Sequence, residues 1–286
     1  MGRHNLSSAA AMSCFEMPPP KLAGGPYVMG VLNLTPDSFS DGGKWADGGA
    51  ARHGLAMLEA GADIIDVGGE STRPGAISVE VGEEIARVAP VIASLRAATS
   101  APISVDTMKP QVAMAAISAG ASIWNDVAAL TAAGALDTAA SLHRPVILMH
   151  MQGEPRTMQS DPRYDDVVSE VIAFLKARVG AAEAKGVEDI WVDPGIGFGK
   201  TLAHNLALLN NVARIAAETG RPVLIGASRK RFIAAIDERA KRASDDRLGG
   251  SIAAALIAAQ NGAAMVRVHD VADTVQALKV WRATLD

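Results

Sequence analysis

A single cysteine, Cys14, is all that the 286 residues contain, so no intramolecular disulfide can brace the fold, and the chain suits a reducing, cytoplasmic setting. Aromatic residues make up only 4% of the chain, which disfavours a protein whose core or binding face is built on large rings. The formal net charge is −4, and that mild acidity argues against a nucleic-acid footprint, where basic residues would crowd one face. It leaves room for an anionic ligand, because a local pocket can be basic on an acidic protein. No run of about 18 apolar residues is available to cross a bilayer. The first twenty residues lack a signal-peptide core, since Arg3, His4, Asn5, Glu16 and the prolines at 18–20 interrupt it. Residues 1–24 read as a disordered tail without a role of their own, and residues 25–286 as one domain.

What is abundant is alanine, glycine and valine, arranged as short apolar runs between longer amphipathic ones. The short runs are Tyr27–Leu32, Ala62–Val67, Ala101–Val105, Ser122–Trp124, Pro145–Met149, Ile190–Val192, Pro222–Ile225 and Ala264–Val268. Several are β-branched on both faces, as strands of a buried parallel sheet are. The segments between them carry helical spacing: Ile85, Val88, Ile92 and Leu95 make one stripe, Val168, Val171, Ile172, Leu175 and Val179 a second, and Val271, Val275, Leu278 and Leu285 a third. Pro90 is expected to kink or split the first of these. Gly186, Gly220 and Gly262 follow helical runs and fit C-caps. Eight strand–helix units in a chain of this length predict an α/β fold, a single-domain (β/α)8 TIM barrel. The competing doubly wound sheet lacks support, because no Gly-x-Gly-x-x-Gly follows the first strand.

In such a barrel, chemistry gathers at the C-terminal strand ends. Each apolar run here ends on polar residues: Asn33, Asp66, Asp106, Asn125 with Asp126, His150, Asp193, Ser228 with Arg229 and Lys230, and Arg267 with His269. A single Asp or Asn at such a place reads equally well as a helix cap; eight polar ends of mixed chemistry ask for more. Asp106, Asn125 and Asp193 suit the donor-rich edge of a flat heterocycle, whereas Lys230, Arg267, His269 and Asn33 suit phosphate oxygens or a ring carbonyl. The segments TPDSFSDGG (35–43) and GGESTRPG (68–75) have the composition of mobile lids, with Phe39 as an aromatic lid residue. The segment DPGIGFGK (193–200) looks like a phosphate cradle but lacks the GK[ST] ending of a nucleotide P-loop. His150 and His269 have no third ligand at zinc-like spacing, and Ser228 has no nucleophile-elbow motif.

Read together, MGVLNLTPDSFSDGG (29–43), IIDVGGESTRPGA (64–76), ISVDTMKP (103–110), ND (125–126), LMHMQGEP (148–155), DPGIGFGK (193–200), SRK (228–230) and RVHD (267–270) resemble the dihydropteroate synthases, in order and in register over about residues 27–285. The resemblance implies a homodimeric barrel transferase of folate biosynthesis. Such an enzyme condenses 6-hydroxymethyl-7,8-dihydropterin pyrophosphate with p-aminobenzoate, with Mg2+ as cofactor, and is a sulfonamide target. It implies pterin binding by Asp66, Asp106, Asn125, Asp193 and Lys230, and pyrophosphate binding by Asn33, Arg267 and His269, with Asn33 also placed for the metal. It places Thr72, Arg73, Pro74, Phe198 and Ser228 at p-aminobenzoate, and Asp106, Lys230, Phe39 and Asp41 in the catalytic group. One departure is Arg231, which adds charge beside the expected carboxylate site. Two other readings are a pterin-dependent methyltransferase domain, which should lack both lid segments and the SRK and RVH groups, and a pterin-binding barrel that has lost catalysis.

Overall fold

The structure, a computed structural model, describes residues 17–34, 48–72, 75–76, 78–241 and 243–285. Eight strands form: β1 (Tyr27–Asn33), β2 (Ile64–Gly68), β3 (Ile103–Asp106), β4 (Ile123–Asp126), β5 (Val146–Met149), β6 (Ile190–Asp193), β7 (Leu224–Ile225) and β8 (Met265–Val268). All pairings are parallel, in the order β6-β5-β4-β3-β2-β1-β8-β7, and a bridge between Val192 and Val223 joins the two ends into a barrel. Every apolar run identified in the sequence is a strand, displaced by two residues at most. The runs are buried on both faces, which is why alternation was weak and β-branched content carried the signal.

Helices α1 (Gly49–Glu59), α2 (Val81–Ala98), α3 (Pro110–Ser118), α4 (Ala135–Leu142), α5 (Val167–Glu183), α6 (Leu202–Asn210), α7 (Val212–Thr219), α8 (Arg231–Ile236), α9 (Leu248–Gln260) and α10 (Val271–Ala283) follow the strands. The stripes work as expected in α2 and α5: Val88, Ile92 and Leu95, and Val168, Val171, Ile172, Leu175 and Val179, are all buried against the sheet. Two local expectations fail. Pro90 lies inside one continuous α2, because it is on the exposed side of the helix, where water can serve the carbonyl its ring leaves unbonded. Leu285 falls beyond the end of α10 and is 59% exposed. Gly220 caps α7 at φ 66°, a left-handed conformation that costs glycine little.

Period two along each strand sorts the barrel into levels. Met29, Ile64, Ile123, Ile147, Trp191, Leu224 and Met265 form a separate apolar plug across the bottom of the barrel, with the ring edge of Tyr27 against Trp191. Met17 packs on this plug. Residues 17–24, assigned above to the tail, run across the barrel bottom: the Lys21 backbone N–H donates to Asp63 Oδ1 (2.7 Å), its Nζ donates to Leu58 O and Ala62 O, and Tyr27 Oη donates to Pro18 O (2.8 Å). Asp63 Oδ2 accepts from the Val28 N–H, tying this segment to β1.

Candidate active site

Two residues beyond four members of the plug, the inward side chain is polar. Ile64 is followed by Asp66, Ile123 by Asn125, Trp191 by Asp193 and Met265 by Arg267; Asp106 joins the same level through its pairing with Gly68 and Asn125. The strand period therefore delivers the polar set to one level without any loop having to place it. Asp126, one residue out of phase, points the other way and accepts the N–H groups of Ala128 (2.8 Å) and Leu130 (2.7 Å) as a cap for the turn.

The centre is a charge cluster. Arg267 donates from Nε to Asp66 Oδ2 (2.6 Å) and from Nη2 to Asp106 Oδ2 (2.8 Å). Asn125 Nδ2 also reaches Asp66 Oδ2, at 3.3 Å. Asp66 is wholly buried and does not line the cavity; it lies beneath Arg267 and Asn125 and holds them. Burial pushes the Asp106 carboxyl above its ordinary range, Arg267 pulls it back, and the nearby Asp66, Asp126 and Glu84 push it up again. The other Asp106 oxygen, Oδ1, is buried without a hydrogen-bond partner among the described residues. A buried charged oxygen left without a partner is costly, so this atom waits for a donor or a cation.

The wall between β5 and β6 is built by DPGIGFGK. Asp193 Oδ1 accepts the Gly195 N–H (2.7 Å), and burial raises its carboxyl despite that bond and the neighbouring Lys230 and Lys200. Gly195, at φ 72°, presses so closely on the β5 end that an added Cβ would overlap the carbonyl oxygen of His150, and one on Gly199 would overlap that of Gln152. The loop places Phe198 under Lys230, whose Nζ is 3.9 Å from the ring centroid. Lys200, which the sequence quoted but did not single out, is buried in this wall, bonded to His150 Nδ1 (3.0 Å) and Phe198 O (2.9 Å). Burial lowers it to about 7. Its signal was position: it follows Phe198 by two and so shares the wall.

At the rim, Asn33 and Thr72 line the same cavity as Asp106, Asn125, Asp193, Phe198, Lys230, Arg267 and His269. Phe39, Asp41, Arg73 and Pro74 lie outside the described residues. Ser228 is at the cavity, but its hydroxyl is 3.0 Å from His269 Nδ1 and accepts the His269 backbone N–H (3.2 Å). Arg229, at φ 58°, is held there by a two-pronged pair with Asp270 (3.1 and 2.5 Å) and by Asp245 (2.6 Å). Lys109 joins Glu70, at the start of the second lid segment, to the buried Glu84 of α2 (2.6 Å). This anchor was not read from the sequence; its residues are 25 and 39 positions apart, and only the barrel brings them together.

His269 carries a pH signature. Burial first, then Arg267, Arg229 and Lys230, depress it from 6.5 to about 3. The folded state thus refuses a proton that the unfolded chain accepts, and stability falls as pH drops from 6.5 toward 3. His150, lowered to about 3 by burial and by Lys200, acts in the same direction, whereas the raised Asp106 and Asp193 oppose it. The comparison must therefore be with a variant: His269→Asn is expected to lose less stability than the parent between pH 6.5 and 4 in urea titrations, and parallel curves would refute this.

The cavity encloses about 720 Å3, room for a heterocycle and a second ring together. An eight-stranded parallel barrel with a carboxylate-and-amide floor under a cationic rim defines an enzyme for a flat, nitrogen-rich ring bearing an anionic group. The family whose description is pterin binding enzyme matches residues 29–269. The dihydropteroate synthase of Escherichia coli strain K12 is 48% identical over 265 residues, covering 91% of this chain and 92% of that protein. The solved structure of Xanthomonas albilineans dihydropteroate synthase with 4-aminobenzoic acid superposes at TM-score 0.85 with 52% identity, covering 91% and 93% of the two chains. The same enzyme in complex with 7,8-dihydropteroate gives 0.81 and 48%, over 91% and 94%. The chain belongs to the pterin-binding enzyme family, and within it to the dihydropteroate synthases. Among the described residues, no helix is long and apolar enough to cross a membrane.

Proposed function

We infer that the protein condenses 6-hydroxymethyl-7,8-dihydropterin diphosphate with p-aminobenzoate, giving 7,8-dihydropteroate and diphosphate, a transferase step of folate biosynthesis. The observation that carries this is the single cavity in which Asp106, Asn125 and Asp193 face a cationic set of Lys230, Arg267 and His269. The test is an end-point assay with both substrates; formation of dihydropteroate with equal release of diphosphate is expected, and neither product would refute the reading.

The chemistry asks for little acid–base help. The bond between the exocyclic methylene carbon and the diphosphate oxygen breaks with its electron pair going to diphosphate, and the dihydropterin ring delocalises the resulting positive charge. The amine lone pair then forms the carbon–nitrogen bond, and the nitrogen loses its proton. Asn125, Asp193 and Lys230 hold the pterin edge, Asp66 supports Asn125 and Arg267 from below, and Asp106 faces the cation with an Oδ1 that has no partner among the described residues. Arg267, through the nitrogen not spent on Asp66 and Asp106, joins His269 and Asn33 at the diphosphate. Thr72 and Phe198, which line the cavity, flank the aryl amine and help exclude water from the cation; the expected roles of Phe39, Asp41, Arg73 and Pro74 fall outside the described residues.

Mg2+ fits as a guest of one protein oxygen. No cluster of three His, Cys, Asp or Glu side chains suited to a metal exists among the described residues; the Asn33 amide oxygen lines the cavity, and a hard oxygen of this kind plus substrate phosphates is a usual Mg2+ set. When bound, the ion offsets diphosphate charge.

Three coarser expectations complete the reading. A homodimer is supported by the exposed apolar side chains of Leu206 on α6, Ile236 on α8 and Ile257 on α9. A cytoplasmic location is supported by the lone cysteine. Sulfonamides, as analogues of the aryl amine, should compete at Phe198. Phe198→Ala removes the ring beneath Lys230 and is expected to raise the KM for p-aminobenzoate about tenfold with the pterin KM little changed; steady-state kinetics with both substrates varied decide it, and a change confined to the pterin would remove Phe198 from the amine site.

A further inference from the structure

The ring of Phe198 has little local reason to stay where it is. It stands between Gly197 at φ 81° and Gly199 at φ 61°, and glycine gives the backbone on either side no strong preference for one pose. The pose is set from outside. Three consecutive carbonyl oxygens of this loop are each taken by a different side chain: Gln159 Nε2 donates to Gly197 O, Lys200 Nζ to Phe198 O (2.9 Å) and Tyr164 Oη to Gly199 O (2.9 Å). The N–H groups of the same stretch are held too, that of Gly197 by Asn205 Oδ1 (2.7 Å) and that of Phe198 by Gly195 O (3.1 Å).

Two of the three carbonyl anchors come from the segment between β5 and α5. Gln152 closes that segment: its side-chain amide donates to Arg163 O (2.7 Å) and accepts from the Arg163 N–H (2.9 Å), so residues 152–163 form a loop with a joined base. Inside the loop, Met158 is buried in one cluster with Phe198, Met149 and Val127. Tyr164 follows the base directly, its ring edge against His204 (4.9 Å between centroids) and beside His150 (6.0 Å). It does not line the cavity, so anything it does to a substrate passes through the wall. Resting on the synthase reading, we propose that Tyr164 and Gln159 are positioning residues for the aryl amine: they lock the loop that carries Phe198 and so hold its ring where the amine must lie in line with the exocyclic carbon. A wall free to shift would admit the same ring in poses from which the amine cannot attack. Lys200, the third anchor, also stands close to Asp193, so the test leaves it in place.

The test varies p-aminobenzoate and dihydropterin diphosphate separately in the wild type, Tyr164→Phe, Gln159→Met and the double variant, each also in a Phe198→Ala background. Tyr164→Phe keeps the ring and its packing and removes only the hydroxyl. Each lost bond is expected to raise the KM for p-aminobenzoate about threefold and the two together about tenfold, with the KM for dihydropterin diphosphate within about twofold. In the Phe198→Ala background, where no ring is left to place, the same changes should move the KM for p-aminobenzoate by less than about twofold, a non-additivity that general loosening of the barrel would not give. Equal shifts in both KM values, an undiminished shift without the Phe198 ring, or urea stability lost with both KM values unmoved overturn the proposal and leave the synthase reading standing. A wild type that does not turn over p-aminobenzoate overturns that reading and the proposal with it.

Discussion

Asp106→Asn is expected to bind dihydropterin diphosphate nearly as well as the parent and to turn over on the order of 100- to 1000-fold more slowly, the range seen when one preorganised electrostatic contact is lost at a transition state. The two side chains have almost the same shape. The amide still accepts from Arg267, which also keeps its bond to Asp66, so the floor should persist. What disappears is negative charge at Oδ1, a buried oxygen facing the cavity that has no partner among the described residues. If the reaction passes through a cation on the exocyclic carbon, that loss falls on the transition state and not on the bound substrate. Binding titrations and single-turnover rates separate the two; a variant with normal turnover would take Asp106 out of the mechanism.

Arg267→Ala should do more damage than loss of diphosphate affinity alone. The guanidinium lies between a wholly buried Asp66 and a nearly buried Asp106. Removing one member of such a group leaves unpaired buried charge and costs about 3–5 kcal/mol, a large share of a typical domain's stability. Poor soluble yield would then hide any effect on binding. Arg267→Met combined with Asp66→Asn returns the cluster to the parent's net charge and should recover much of the stability without recovering diphosphate affinity. Urea unfolding and diphosphate titrations on the single and double variants form the cycle. Additive stability losses would dissolve the proposed cluster, and recovered affinity would remove Arg267 from the diphosphate site.

The strands, the helix faces and the level at which Asp106, Asn125, Asp193 and Arg267 meet were legible in the sequence, because a parallel barrel writes its core as apolar runs and its chemistry at their ends. The partners of those residues were not. Arg267 was read as a rim cation, but it is 201 residues from Asp66 in sequence and bonds to it at 2.6 Å; only the pairing of β8 with β1, whose other neighbour is β2, brings the two together. The resemblance put Asp66 at the pterin; its side chain shares the level of Asn125 and Asp193 but is wholly buried under Arg267 and Asn125 and does not line the cavity. Ser228 reached the cavity as expected, with its hydroxyl turned to His269 by the Arg229 turn. Pro90 illustrates the opposite limit: a rule about backbone chemistry failed because the exposed side of α2 tolerates the missing bond.

The collision that any Cβ at Gly195 would have with the carbonyl of His150, and at Gly199 with that of Gln152, makes the two sides of the aryl-amine pocket unequal in what inheritance can do to them. Codon changes on the β6 side meet main chain, which cannot step aside, and should be purged as folding failures before any shift in ligand preference is expressed. The α8 side presents a solvent-facing arginine whose replacement disturbs no packing. Natural variation in this pocket should therefore accumulate on its solvent-facing side and leave the glycine-rich wall untouched.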